Sequence, residues 1–119
     1  MNYEDRVTKE YVENALANAG AKVVTGTYTG DGNTTRTIDL GFTPKAVVVY
    51  TNNGIQLAAS GGWMYGGLAL QGYPCIRDMN STIYNGIEIV TGGFNVAFNV
   101  EGYLCTNNPV TVFYYLAIG

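Results

Sequence analysis

The first twenty-two residues carry a hydrophobic pattern with a helical period. In "YEDRVTKEYVENALANAGA" apolar residues recur every three to four positions, and Gly20 follows the last full turn. This pattern predicts one amphipathic α-helix over residues 1–22, which forms a separate N-terminal segment. A helix this short is marginal alone, so it must pack either on its own domain or against the same helix in other copies. Its candidate contact residues are Val7, Tyr11 and Leu16.

From residue 23 onward the period changes to two, which is typical of β-strands. "KVVTGTYTG" and "NTTRTIDLGF" are strand-like runs separated by residues 30–33, whose Gly, Asp and Asn suit a tight hairpin. "KAVVVYT" is continuously apolar and β-branched, which predicts a central strand covered on both faces. Gly92 and Gly93 mark a later hairpin, whereas residues 73–81 show no clear period and are expected to form an exposed loop.

The last run, "PVTVFYYLAIG", is apolar at both sets of alternating positions. We therefore expect a central strand with the core on one side and another subunit on the other, and its candidate interface residues are Phe113 and Tyr115. Which alternating set faces the core stays open at this stage. Strands separated by Gly and Asn turns, with no second helix, predict an all-β fold: an antiparallel β-sandwich of about six to eight strands over residues 23–119.

Charge is distributed unevenly along the chain. Residues 1–22 carry seven of the fifteen charged side chains, and the other ninety-seven residues carry eight. The net charge of −3 comes with no basic cluster, which argues against nucleic-acid binding. No apolar run reaches the roughly 18 residues of a membrane span, and the polar N-terminus shows no signal peptide. We expect a protein made in the cytoplasm, without membrane insertion.

The side chains offer little for catalysis. The chain has no histidine, which is the commonest general base and metal ligand. Cys75 and Cys105 lack zinc-ligand spacing and suit either one disulfide or two unpaired small side chains. The sequence therefore predicts no enzyme activity, no cofactor and no metal site. The enzymatic alternative is a small glycosidase, in which Asp78 and Glu88 would face each other about 5 to 9.5 Å apart.

The charge-poor body is rich in aromatic and amide side chains, with ten tyrosines and twelve asparagines in the whole chain. Rings stack on sugar faces and amides share hydrogen bonds, so this surface suits neutral polar partners such as glycans. The alternative is that the aromatic residues lie in the core or at a subunit interface. The candidate ligand-binding residues are Trp63, Tyr65, Tyr73, Arg77, Asp78 and Asn80.

Three stretches together carry a resemblance: "GTYTGDGNTTRTIDLGFTPKAVVVY", "GGFNVAFNVEGY" and "VTVFYYLAIG". Their order resembles a recurrent module in tail-associated structural proteins of phages and prophages of Gram-positive bacteria. It is also similar to H-type lectins, which are six-stranded antiparallel sandwiches that form trimers or hexamers and bind sugars near subunit boundaries. The match covers residues 26–119, and it carries over no sugar-binding residue.

The resemblance implies a homotrimeric receptor-binding or fibre-tip domain, joined to the rest of the assembly by the N-terminal helix. We therefore expect a non-enzymatic structural protein of a virion tail, which contacts other tail proteins and binds a bacterial surface glycan. The alternative is a purely structural module of a virion or cell-surface assembly, whose only ligand is its own copies.

Overall fold

The computed structural model describes residues 22–54, 62–79 and 81–119, and this part of the chain contains nine β-strands. The predicted helix, with Val7, Tyr11 and Leu16, lies outside the described residues, and so does Asn80. The strands are β1 (Val23–Thr29), β2 (Thr35–Asp39), β3 (Ala46–Thr51), β4 (Gly67–Leu70), β5 (Cys75–Met79), β6 (Thr82–Val90), β7 (Gly93–Asn99), β8 (Leu104–Cys105) and β9 (Val112–Ile118).

These strands form two antiparallel sheets. Sheet A has the order β1-β9-β3-β4, and sheet B has the order β2-β7-β6-β5, with the two-residue β8 paired to the end of β7. The all-β prediction is therefore confirmed for the described residues, and the arrangement is consistent with a β-sandwich. The hairpin predicted at Gly92 and Gly93 joins β6 to β7. The two strands predicted to be central, β3 and β9, are central in sheet A.

The apolar faces of the two sheets share one core. Phe113 and Val47 of sheet A are fully buried, as are Phe94 and Ile87 of sheet B. The ring of Tyr28 connects the sheets, because it stacks on Phe113 with 4.9 Å between centroids and meets Phe94 edge-on at 6.3 Å. Burial of each large apolar side chain contributes roughly 1.5 to 3 kcal/mol. This core fixes which face of each strand remains outside.

The predicted hairpin between the first two strands is wrong, because β1 and β2 belong to different sheets. Among the described residues β1 pairs with β9 and β2 pairs with β7. Residues 30–33 form a crossover in which the Gly30 amide donates to the Thr111 carbonyl at 2.8 Å. A Cβ on Gly30 would lie 1.8 Å from the backbone oxygen of Asn108. The glycine is therefore required for a close approach between two backbones.

The exposed loop expected over residues 73–81 is also wrong over most of its length. Residues Cys75–Met79 form β5, an edge strand of sheet B paired with β6. Ile76 and Asp78 are exposed, whereas Arg77 and its alternate neighbours are half-buried. The neighbouring charges of Arg77 and Asp78 concealed this alternation in the sequence. The extra strand brings the count in the described part to nine, above the predicted six to eight.

In the final strand, β9, the two residues predicted for the subunit interface face the core. Phe113 is fully buried, and Tyr115 packs against the core with its ring 5.3 Å from that of Phe94. Tyr114 and Leu116 point outward and are 51% and 37% exposed. A second copy that docks on this strand would therefore meet Tyr114 and Leu116, because Phe113 has no exposed surface to offer.

Thr106 is fully buried, and its hydrogen bonds connect the end of sheet B to β1. Its hydroxyl donates to the Gly86 carbonyl at 2.6 Å and accepts from the Ala97 amide at 2.8 Å. Its carbonyl accepts the hydroxyl proton of Tyr28 at 2.5 Å. Burial raises the pKa of the Tyr28 hydroxyl, which favours the protonated form that this bond needs.

Asn107 is also fully buried and holds the crossover between β1 and β2. Its side-chain amide donates to the Asp31 carboxylate at 2.6 Å and to the Asn33 carbonyl at 3.1 Å, and its side-chain oxygen accepts from the Asp31 amide at 3.2 Å. The pKa of Asp31 is lowered chiefly by the Asn33 backbone amide, next by the Asn107 amide and, more weakly, by Arg36. The crossover is thus anchored to a residue distant in sequence.

Candidate functional site

An aromatic pair and an arginine come together at one edge of the two sheets. The rings of Trp63 and Tyr103 lie 4.5 Å apart between centroids, tilted by 37°. The guanidinium carbon of Arg77 lies 5.6 Å from the centroid of the Tyr103 ring. All three residues are half-buried, so each keeps part of its surface accessible. We call these three residues the Trp63 cluster.

Two backbone hydrogen bonds connect the segment that carries Trp63 to the segment that carries Tyr103. The backbone amide of Met64 donates to the Tyr103 carbonyl at 2.9 Å, and the Cys105 amide donates to the Met64 carbonyl at 2.7 Å. Tyr103 has a φ of 55°, a left-handed conformation that costs a residue with a side chain about 1 kcal/mol or more. The hydrogen bonds through Met64 hold Tyr103 in this conformation, with its ring against Trp63.

Arg77 has no polar partner in the described part of the chain, unlike Arg36. The Arg36 guanidinium donates to the Thr29 carbonyl at 2.5 Å and lies 3.6 Å from the Asp31 carboxylate. Arg77 makes no hydrogen bond or ion pair with any residue of the three described ranges, and its Nε is buried without a partner. A buried unpaired donor costs about 1 to 3 kcal/mol. The guanidinium therefore keeps unused hydrogen-bonding capacity.

The terminal nitrogens of Arg77 lie beside Gly62. A Cβ built on Gly62 would lie 2.9 Å from Nη2 and 3.5 Å from Nη1 of Arg77. Gly62 also has a φ of 68°, which residues with side chains rarely adopt. Glycine at residue 62 thus allows the backbone to pack directly against the guanidinium, where a side chain would collide with it.

A depression of about 400 Å³ adjoins the Trp63 cluster between the edge strands β4 and β5. Arg77 and Asp78 both line it, together with Leu68 and the backbone of Gly66 and Gly67. Asp78 forms no ion pair with Arg77, although the two residues are adjacent in β5. The opening therefore combines a cation, a carboxylate and an apolar wall.

The structure separates the other predicted ligand-binding residues from this place. Tyr65 packs against the core, and burial, with a smaller effect of the Cys105 thiol, raises its pKa. Tyr73 is 74% exposed in the turn between β4 and β5 and lines neither the depression nor the cluster. Asn80 lies outside the described residues. Of the predicted set, only Trp63, Arg77 and Asp78 come together.

The outer face of sheet A is a second candidate site, because it carries no charge. Its four strands, β1, β9, β3 and β4, contain no Asp, Glu, Lys or Arg. Strand pairing aligns their outward residues in rows, and a depression of about 370 Å³ lies at the centre of the face. The outer sheet A face consists of Val23, Thr25, Thr27, Ala46, Val48, Tyr50, Leu68, Leu70, Tyr114, Leu116 and Ile118.

The carboxylates considered for a glycosidase are not brought together. Asp78 pairs with Ile83, and Glu88 lies five residues further along β6. At about 3.3 Å per residue this places the two carboxylates on the order of 17 Å apart along the sheet, beyond the 5 to 9.5 Å that the reaction needs. Asp78 and Glu88 also line different depressions.

The two cysteines are separate thiols. Cys75 is half-buried and Cys105 is buried, and burial raises the pKa of both. Over residues 22–54, 62–79 and 81–119 there is no group of three or more His, Cys, Asp or Glu placed to hold a metal ion. The same described ranges contain no helix long and apolar enough to cross a membrane.

Sequence reasoning missed two residues of the Trp63 cluster region, Tyr103 and Gly62. Tyr103 lies forty positions from Trp63 in the sequence, and nothing in "NVEGYLC" indicates a left-handed tyrosine. Gly62 belongs to a paired glycine that signalled only a bend. The proximity of both residues to Arg77 depends on how β5 and the turn before β8 meet.

Comparisons with known proteins found no match to this chain among family models, curated proteins or solved structures.

Proposed function

We propose that this chain is a non-enzymatic structural domain of the phage or prophage tail and fibre type, which forms a homotrimer through the outer sheet A face. In this proposal residues 23–119 are a β-sandwich, and the helix predicted over residues 1–22 connects it to other tail proteins. The protein is made in the bacterial cytoplasm and ends in the virion. The observation that carries the proposal is the uncharged outer face of sheet A.

The size of this face supports a contact between copies. The four strands have seven, seven, six and four residues, and at about 3.3 Å per residue and 4.8 Å between strands they give a flat area of roughly 380 Å². This area is comparable with the largest apolar patch on a typical soluble monomer, and such patches are often functional. A standard interface buries about 800 Å² per partner, so the face supplies about half of one. The remainder would come from the predicted helix stripe, which precedes β1 directly in sequence.

A second copy fits this face better than a charged partner does. Tyr50, Leu68, Tyr114 and Leu116 each expose more than a third of their surface without a nearby charge on their strands. Apolar and aromatic side chains with few charges are typical of the buried centre of subunit interfaces. Burial of these side chains between copies would remove them from water at no cost in unpaired charge.

Analytical ultracentrifugation at 10 to 100 µM tests the proposal. We expect the natural chain to sediment as a trimer and Leu116→Lys as a folded monomer, because the lysine would be buried without a partner. The matched control is Ile83→Lys, since Ile83 is 55% exposed on sheet B and should tolerate the same change. A monomeric natural chain, or a trimeric Leu116→Lys, would contradict the proposal.

Recognition of a bacterial surface glycan is the second part of the proposal, and the Trp63 cluster favours it. Half-exposed rings and a guanidinium without a polar partner are suited to stacking on a sugar and binding its oxygen atoms. A bacterial glycan array with the natural chain and Trp63→Ala tests this part. Binding that Trp63→Ala abolishes supports it, and no binding leaves the purely structural module as the function.

A further inference from the structure

The Trp63 cluster has a feature that a site for neutral sugars does not need, which is a cation held without a counterion. Arg77 is half-buried, its Nε is sealed from water, and no carboxylate or carbonyl of the described residues pairs with it. Partly buried charges are normally paired, because desolvation without a partner is costly. The chemistry that would complement this cation is that of an anion.

The shape of the free space indicates where the anion would bind. Nε is enclosed, so a ligand can reach only the two terminal nitrogens, Nη1 and Nη2. Gly62 packs against these nitrogens on one side, and Arg77 also lines the open depression of about 400 Å³, which leaves that side for a ligand. Two parallel N–H groups match the two oxygens of a carboxylate. The space thus suits a planar acid that binds end-on.

The neighbouring rings indicate what carries the carboxylate. The Tyr103 ring contacts both other members of the cluster, with 4.5 Å to the Trp63 ring and 5.6 Å to the Arg77 guanidinium. A sugar ring that stacks on this pair would place a substituent beside Arg77. In a hexuronic acid the carboxylate is attached directly to the pyranose ring, so one residue can make both contacts.

We propose that the Trp63 cluster binds a uronic acid residue of an acidic polysaccharide, with the sugar ring on Trp63 and Tyr103 and its carboxylate on Nη1 and Nη2 of Arg77. This inference rests on the glycan recognition proposed above and names its ligand class. General attraction of polyanions does not contribute, because the chain has a net charge of −3 and Asp78 lines the adjoining depression. Selectivity must therefore come from Arg77 itself.

Isothermal titration with trigalacturonic acid and with neutral galactotriose of the same linkage tests the inference. We expect about tenfold tighter binding of the acidic trisaccharide, since a hydrogen-bonded charge pair is stronger than a neutral contact. Sodium chloride should weaken only the acidic ligand. Equal affinities would overturn the uronic acid inference and leave glycan recognition standing. Absence of binding for both ligands at millimolar concentration would overturn both.

Substitutions test whether the preference for the acidic trisaccharide depends on the terminal nitrogens of Arg77. Arg77→Gln should lose the preference for the acidic ligand, and Trp63→Ala should weaken both ligands. Arg77→Lys keeps the charge without the planar fork, so it should lose most of the preference even if Arg77→Gln folds poorly. Lys45→Gln is the control, because Lys45 is exposed and precedes the end of β3 that pairs with Leu70, whereas the depression beside Arg77 lies at Gly67. An equal loss of preference in Lys45→Gln would contradict the inference.

Discussion

The buried Asn107 should contribute more to stability than its partly exposed neighbour Asn108, and Asn107→Ala measures this contribution. The substitution removes the bond to the Asn33 carbonyl at 3.1 Å and the bond from the Asp31 amide at 3.2 Å. Two neutral hydrogen bonds contribute about 1 kcal/mol each, so we expect a loss of about 2 kcal/mol. The contact with the Asp31 carboxylate is left out, because that group is exposed and water can replace it.

Urea denaturation at pH 7, followed by far-ultraviolet circular dichroism, gives the free energy of unfolding. Protein concentration must stay constant, since self-association also stabilises the folded chain. Asn108→Ala is the matched control, because the Asn108 amide bonds mainly to Thr111 only three residues away at 2.6 Å. This control should lose less than about 0.5 kcal/mol. A loss in Asn107→Ala no larger than in Asn108→Ala would refute the anchoring role of Asn107.

Four further predictions follow from buried groups and from the crossover. Tyr28→Phe should lose about 1 kcal/mol, because the Thr106 carbonyl loses its donor at 2.5 Å; no change in the urea midpoint would contradict this. The unfolded chain loses the Tyr28 proton near pH 10.0 whereas the folded chain keeps it, so the contribution of Tyr28 to stability should be constant below that pH and fall above it, and overall stability should fall less steeply there in Tyr28→Phe. Cys105 should react slowly with Ellman's reagent at pH 8 and rapidly in guanidinium chloride, since burial raises its thiol pKa; equal rates would show that it is accessible. Gly30→Ala should lower the melting temperature by several degrees, because its Cβ would overlap the Asn108 carbonyl, and an unchanged melting temperature would refute the close approach.

The parts of the fold that the sequence predicted correctly depend on local patterns. The strand period of two, the turn at Gly92 and the central position of β9 each follow from a few neighbouring residues. The wrong predictions concern partners. Residues 30–33 do turn the chain, but which strand β2 then pairs with depends on Asn107, seventy-six positions away from Asp31. No local pattern carries that information.

The candidate site was predictable only by residue type. Trp63 and Arg77 were selected because aromatic and charged residues in an irregular segment suit binding, and the structure brings both of them next to Tyr103. Tyr103 itself was missed, since its place depends on the left-handed turn before β8. That Arg77 forms no ion pair with a described residue also depends on the fold. The sequence alone, with Asp78 directly beside Arg77, would suggest a pair.

The outer faces of the two sheets differ in polarity, and this difference bears on assembly. On the outer face of sheet B, Thr37, Asn95 and Glu88 are aligned by strand pairing, which is the usual polar pattern of an antiparallel sheet facing water. The corresponding row of sheet A aligns Leu116 with Val48 and Leu68. Both sheets share one core, so the difference cannot come from the needs of folding. It is the difference expected if sheet A is covered in the assembled protein and sheet B is not. Because β4 carries Leu68 on this face and also borders the depression beside Arg77, assembly through sheet A would place the Trp63 cluster at the rim of the subunit contact, where a ligand can still reach it.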